Sequence, residues 1–332
     1  MNVLVIGGTR FVGHMLVTTL AGRGDRVTVF HRGETPGDLP PEVERLQGDR
    51  TEPGALARAV AGRNFDGVVD MIAMRGAEAA DAIAALEGRV GRYVHISTGQ
   101  VYLVREGAST PAREGDYPGP LTPAPPPDSW DRREWDYGIG KRTCEDALAS
   151  AWDERRFPSV RLRMPIIHGS RDPSGRLAGY VARLADGGPI LVPEEPGAPL
   201  RHVWAGDVVA AILAALERDS VDGRAYNVSS EDLWSHRQFV ERLAALVHVD
   251  ARLVTVPRAR LVEAGLFPAC APFSSTWMSV LDPSRAKAEL GLVPRGFETF
   301  LPKRVEEIRE APPPAAYAER RAEELRLAES AG

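Results

Sequence analysis

The chain has 332 residues, is 43% hydrophobic and carries a formal net charge of -5, enough for one large α/β unit or two closely packed domains around a sizeable core. That balance supplies no global positive field to gather nucleic acid or an anionic membrane, and no stretch of about 20 apolar residues predicts a membrane span. Cys144 and Cys270 form neither a CxxC pair nor a disulfide framework, and no basic region precedes the strand-length apolar run at the N-terminus; a cytoplasmic protein without a signal peptide is expected.

In chain order, "NVLVIG", "RVTVFHR", "VERLQGD", "DGVVDMIA" and "RYVHIST" read as strands, separated by helices near 11–22, 53–62 and 76–88. Such alternation predicts an α/β fold with a Rossmann-type, doubly wound parallel sheet. Residues 103–136 are too rich in proline for helix or ladder and read as a long ordered loop, either a lid or a surface excursion. A helix over 137–154, a strand over 158–163 and short mixed elements to about 310 come next. The expected division is a dinucleotide-binding domain over 1–163, a mainly substrate-binding mixed α/β region over 164–310 with segments returning to the first domain, and a charged helical tail over 311–332.

The stretch "IGGTRFVG" at 6–13 has glycine at 7, 8 and 13, with Arg10 where the usual spacing places another glycine. A tight turn from a strand into a helix aims backbone N–H groups and the positive helix end at a pyrophosphate. About 20 residues on, the second strand ends in Phe30-His31-Arg32. An acidic residue there accepts from the ribose of NAD, whereas a cation suits the 2'-phosphate of NADP. Arg10 and Arg32 therefore read either as two guanidiniums gripping one phosphate or as solvated surface arginines. Asp49, ending the third strand, is either an acceptor for the adenine amino group or an ordinary loop carboxylate.

In "WDYGIGKRTCED", Tyr137 and Lys141 stand four apart on one helix face. Free tyrosine titrates near pH 10, so acid/base work near neutrality needs a shift of about 3 units, roughly 4 kcal/mol. The fifth strand, "YVHISTGQVY", ends in Ser97 and Thr98, and a hydroxyl there would face the same substrate oxygen as Tyr137.

With these motifs, "RMPIIHG" at 163–169, "RHVWAGDVV" at 201–209 and "DPSRAKAELGLVPR" at 282–295, the chain resembles an extended short-chain dehydrogenase/reductase of the NAD-dependent epimerase/dehydratase type over about 300 residues. Arg10 and "FHRG" bring it closer to a "GGTRF" branch that resembles chloroplast stem-loop-binding proteins and bacterial members of unassigned substrate. The resemblance implies Thr98, Tyr137 and Lys141 as catalytic residues. Candidate cofactor residues are Gly7, Thr9, Arg10, Phe11, Val12, Gly13, His31, Arg32, Asp49, Ala73, Lys141 and Pro165. Gln100, His168 and Arg201 would meet the substrate. The 4,6-dehydratases of the family carry an Asp-Glu pair directly after the catalytic Thr; here Gly99 and Gln100 stand there, neither titrates, and dehydration by that route is disfavoured.

The chain has no GxSxG elbow, Walker lysine, HExxH or paired metal spacing, so no metal is expected. The leading expectation is an NADP-preferring reductase acting on a small molecule, either a nucleotide-linked sugar or a secondary metabolite. One alternative is a 4-epimerase that retains NAD; a second is a cofactor-sensing or RNA-binding protein without turnover. The acidic balance speaks against nucleic acid, and a homodimer is one possible assembly. Trp130, Arg132, Arg133 and Trp135 read either as a cover over the ligand or as anchors of the long loop.

Overall fold

The computed structural model describes residues 1–35, 38–194 and 198–331. Its first half builds the alternation read from the sequence: β1 (Asn2–Ile6), α1 (Phe11–Gly22), β2 (Arg26–His31), β3 (Glu44–Gln47), α2 (Ala55–Ala59), β4 (Phe65–Asp70), α3 (Gly76–Leu86), β5 (Val90–Thr98) and α4 (Gln100–Leu103). After a long connection come α5 (Trp130–Arg155), β6 (Ser159–Met164), β7 (Ile167–His168), α6 (Arg176–Ala185), β8 (Ile190–Pro193) and β9 (Val203–Trp204). The chain ends through α7 (Ala205–Glu217), β10 (Ala225–Asn227), α8 (His236–Val247), β11 (Leu253–Val256), α9 (Arg258–Glu263), α10 (Phe297–Arg309) and α11 (Ala315–Ala331).

Seven strands form one parallel sheet in the order β10-β6-β5-β4-β1-β2-β3. The continuous Val/Ile/Leu character of β1 and β4 reflects burial on both sheet faces. One apolar layer packs α1 and α7 against the sheet around Val3, Val5, Val17 and Ile212. The other sets α3 and α5 against Leu4, Ile6, Val68 and Tyr93. A third cluster, around Tyr180, Phe239, Phe273 and Phe297, holds the later elements together, with β8 and β11 paired in parallel beside it.

Segment 103–136 differs from a continuous loop. It contains a short helical turn at Glu114–Asp116, and α5 starts at Trp130, seven residues before the expected start at 137. Ser129 caps that helix, its hydroxyl accepting from the Arg132 amide at 3.0 Å, so the proline run ends at Pro127 and the helix begins well before Tyr137. The third strand shrinks from 43–49 to Glu44–Gln47, and the second helix from 53–62 to Ala55–Ala59. No helix among the described residues is long and apolar enough to cross a membrane.

Candidate active site

At the carboxyl edge of the sheet, the turn between β1 and α1 adopts the geometry its glycines permit. Gly7 has φ +87°, a left-handed backbone, and a Cβ on Gly13 would stand 2.9 Å from the Gly7 carbonyl oxygen and 3.0 Å from the Gly8 Cα. Arg10 takes the N-cap position of α1 in an extended conformation, with no capping side chain. Phe11, not a glycine, carries the other positive φ, +47°. The amides of this first helical turn therefore lack a side-chain acceptor, as an anion site at a helix N-terminus requires.

A groove of about 460 Å³ runs along this sheet edge, lined by His31, Arg32, Asp49, Ile72, Met74, Thr98, Tyr137, Lys141 and Pro165 among others. At one end the second-strand loop folds toward the glycine turn: Arg10 donates through Nε to the Thr35 hydroxyl at 3.0 Å, while Arg32 pairs with Glu34 at 2.9 Å. His31 Nδ1 accepts from the Gly33 amide at 3.0 Å, and burial holds its imidazole below the usual range. Asp49 accepts from both the amide and hydroxyl of Thr51 at 2.8 Å, which lowers its carboxyl. Val12 and Ala73 turn into the core, 3% and 0% exposed. The walls expected of Ala73 come instead from its neighbours Ile72 and Met74, because the Asp70 carboxylate accepts from the amides of Ile72 and Ala73 and fixes that turn. Thr9 is half-buried within the glycine turn.

At the other end, β5 delivers Thr98 and α5 delivers Tyr137 and Lys141. Gly140 lets α5 come close to the loop after β4, since a Cβ there would run into the Met74 carbonyl. Burial raises the Tyr137 phenol, the Thr98 hydroxyl beside it opposes that, Glu134 adds to it and Arg176 opposes it. Lys141 is 3% exposed, and its ammonium donates to the Ile96 carbonyl at 2.7 Å. Burial lowers the Lys141 ammonium, with Asp70 and Glu145 among the acidic groups that support its charge. Glu134 and Arg176 both face the Tyr137 side of the site and act on its phenol in opposite directions.

Beneath this pair runs a buried polar layer. Arg163 donates to the Glu145 carboxylate from Nε at 3.0 and 3.1 Å and from a terminal nitrogen at 2.5 Å, and Ser97 donates to the same carboxylate at 2.5 Å. Glu145 lies four residues after Lys141 on α5, so this ion pair locks the catalytic face of the helix to the ends of β5 and β6. On the other side Arg50 pairs with Asp70 at 2.5 Å, and the Tyr93 hydroxyl donates to Asp70 at 2.6 Å.

A smaller cavity of about 280 Å³ opens on the far side of Tyr137 and Thr98, lined also by Phe11, Gln100, Glu134 and Arg176. It leads to an outer cavity of about 720 Å³. Gln100 lies at this junction as expected, its amide donating to the Glu134 carboxylate. The other two substrate candidates do not. His168 is 2% exposed, hydrogen-bonded through Nε2 to His202 Nδ1 at 2.8 Å and surrounded by Phe239, Phe273, Phe297 and Phe300; it belongs to the aromatic core. Arg201 donates at 3.2–3.4 Å to the carbonyls of Leu281, Glu231 and Asp232 and braces that loop. Trp135 is an anchor, its indole donating to Thr122, whereas Trp130 and Arg133 line the outer cavity.

Glu134 and Arg176 escaped the sequence reading. Glu134 sits three residues before Tyr137, so the helical period places it on the same face once the true helix start is known. Arg176 opens α6, far from any motif, and only the tertiary fold brings it to Tyr137. Among the described residues, no group of three or more His, Cys, Asp or Glu side chains is placed to hold a metal ion.

Comparison with known proteins agrees with this geometry. The chain is 28% identical over 261 residues to 2'-dehydrokanamycin reductase of Streptomyces kanamyceticus, covering 77% of this chain and 70% of that protein. It is 27% identical over 245 residues to chloroplast stem-loop binding protein of 41 kDa b of Arabidopsis thaliana, covering 69% of this chain and 59% of the relative. In structure it is similar to UDP-glucose 4-epimerase of Thermotoga maritima, with a TM-score of 0.74 at 21% identity over 93% of this chain and 99% of that one, a likeness of fold. Residues 3–229, more than half of the chain and including every residue of the glycine turn and the Thr98, Tyr137 and Lys141 set, match the NAD dependent epimerase/dehydratase family, and the chain belongs to that family.

Proposed function

We propose that this protein is an NADP(H)-dependent reductase of a ketone on a small polar metabolite. The observation that carries the reading is the convergence of Thr98 and Tyr137 on the junction between the long groove and the inner cavity, both of which they line. When bound, the nicotinamide cofactor supplies or accepts the hydride. The uncapped first turn of α1, the left-handed Gly7 and the long groove fit such a dinucleotide. Tyr137, its phenol raised by burial, retains its proton at neutral pH and is suited to deliver it to a carbonyl oxygen as that oxygen becomes an alkoxide. Thr98 donates to or orients the same oxygen. Lys141, anchored on Ile96, would hold the cofactor ribose and contribute positive charge at the groove.

Arg10 and Arg32 support NADP over NAD. They stand on the two loops that meet at the Thr35 contact, and the second strand ends in His31-Arg32 rather than in the acidic residue that NAD recognition favours. The likeness to a protein named as a reductase supports the reaction type. Arg201, committed to three backbone carbonyls, lends no grip to a nucleotide-linked substrate and favours a smaller ligand. A net charge of -5 gives no support to stem-loop binding, the role in the chloroplast relative's name.

The test is to denature the purified protein, identify any dinucleotide released, and follow NADPH oxidation with a panel of keto sugars and other polar ketones. Ketone-dependent oxidation of NADPH, with weak retention of cofactor, is the expected result. Stoichiometric, tightly held NAD with no ketone-dependent NADPH oxidation would replace this reading with the 4-epimerase.

A further inference from the structure

The outer cavity is not neutral ground. Four arginines line it from four helices: Arg133 from α5, Arg176 from α6, Arg258 from α9 and Arg320 from α11. Arg258 is already matched, 3.4 Å from the Asp131 carboxylate and stacked over Phe267. The same Asp131 oxygen accepts from the Trp277 indole at 2.8 Å. Glu134 is held by Gln100, and its burial favours the uncharged acid. Arg176 donates to the Ser174 hydroxyl at 3.1 Å and lies over the Phe273 ring at 6.0 Å; Asp172 and Glu134 act on it at longer range, and it forms no ion pair among the described residues. Arg133, exposed at the rim, and Arg320, half-buried, have no side-chain polar partner among the described residues.

Guanidiniums gathered on one cavity without a matching ion pair offer an anion charge-assisted hydrogen bonds. Arg320 is also held in place by its own helix. One residue on, Arg321 pairs with Asp186 at 2.6 and 2.7 Å and donates to the Pro189 carbonyl at 2.8 Å. One turn on, Glu324, 0% exposed, pairs with the buried Arg183 at 2.5 and 2.8 Å. These buried ion pairs fix α11 against α6 and β8, so the residue preceding them faces the cavity on a rigid support. α11 lies outside residues 3–229, the part that matches the family.

We infer that the C-terminal helix forms part of the ligand site, and that Arg320, with Arg176 and Arg133, binds an anionic group, a carboxylate or a phosphate, on the molecule that fills the outer cavity. This rests on the reading of that cavity as the substrate pocket and narrows the substrate to a ketone carrying an anionic substituent remote from its reacting carbon.

Calorimetric titration of the full chain, with NADP present in excess to fill the groove, tests it with two probes: inorganic pyrophosphate and citrate. Saturable binding of one of them, weakening as salt is raised, is expected; the probe that binds tells phosphate from carboxylate. Arg320→Gln should weaken it at least tenfold, Arg320→Lys less, and Arg326→Gln, on the same helix but paired only with Glu323, not at all. No saturable binding of either probe, or equal affinity in wild type and Arg320→Gln, would overturn the inference. Should Arg320→Gln lower the melting temperature, Arg320→Lys decides: retained folding with retained affinity supports the site, and affinity lost in a folded Lys variant counts against it. Anion binding without ketone-dependent NADPH oxidation would refute the reductase and leave this site standing. Ketone turnover without anion binding would do the reverse.

Discussion

Replacing Glu145 with alanine tests whether the catalytic face of α5 is held by the buried layer beneath it. Glu145 and Arg163 are 1% and 3% exposed, and the carboxylate accepts from Arg163 and from Ser97. Burial by itself would raise this carboxyl, yet the guanidinium beside it holds it down at about 2. Relative to an unfolded glutamate near 4.5, that shift corresponds to about 3 kcal/mol of stability. It agrees with the 3–5 kcal/mol expected when one partner of a buried pair is removed, a large part of a net stability of about 5–15 kcal/mol. Because the folded-state value is depressed, the contribution is complete above about pH 4.5 and is lost as pH falls toward 2.

Urea denaturation followed by circular dichroism at pH 7 should show Glu145→Ala losing about 3 kcal/mol or more, and Glu145→Gln, which keeps a partner for Ser97, losing less. The double variant Glu145→Leu with Arg163→Met should recover most of the loss, since neither partner's charge is left buried alone and the Tyr102 hydroxyl still has Asn227 at 2.8 Å. A loss below about 1 kcal/mol in Glu145→Ala, or a double variant as unstable as the single one, would refute the account.

Tyr137→Phe should lower ketone reduction by about 10²–10⁴-fold with dinucleotide affinity unchanged; full turnover in that variant would remove Tyr137 from the chemistry. Arg10→Gly combined with Arg32→Asp should weaken NADP binding by at least tenfold and leave NAD binding equal or better, and undiminished NADP affinity by titration calorimetry would make the two arginines surface residues. His95 and His168 are held by burial at about 3, far below an unfolded histidine, so the stability they contribute as neutral rings is full above about pH 6.5 and drains as pH falls toward 3. His168→Phe should therefore flatten the dependence of urea midpoint on pH across that window. At pH 7 it should cost about 1–3 kcal/mol, because the buried His202 ring loses its hydrogen bond to His168; an unchanged pH slope would show that the ring does not titrate in this range.

The parallel sheet and the placing of Thr98, Tyr137 and Lys141 on one groove were legible from local rules. Continuous apolar strands alternating with helical-period segments, glycines at 7 and 13 and the four-residue spacing of Tyr137 and Lys141 each express a constraint that acts within a few residues. The meeting of the Arg10 turn and the Arg32 loop was legible for the same reason, because the strand-turn-helix unit sets where the loop leaving β2 must lie. The start of α5 was hidden: Ser129 is a cap only because the chain leaves its proline-rich run there in an extended conformation, and glycines at 138 and 140 obscure the helical pattern.

His168, Arg201, Glu134, Arg176 and Arg320 were decided by tertiary structure. A histidine preceding a glycine reads the same whether it faces a ligand or four phenylalanines, and its sequence neighbours do not record which. Arg176, Glu134 and Arg320 come from three helices separated by 42 and 144 residues, and their convergence on one cavity results from how α5, α6 and α11 pack. The sequence by itself determined the fold class and the side chains that line the groove at its hydroxyl end, since those depend on backbone periodicity and nearest-neighbour spacing. Only the tertiary structure decided which charges face the ligand, because that depends on long-range packing that no local pattern encodes.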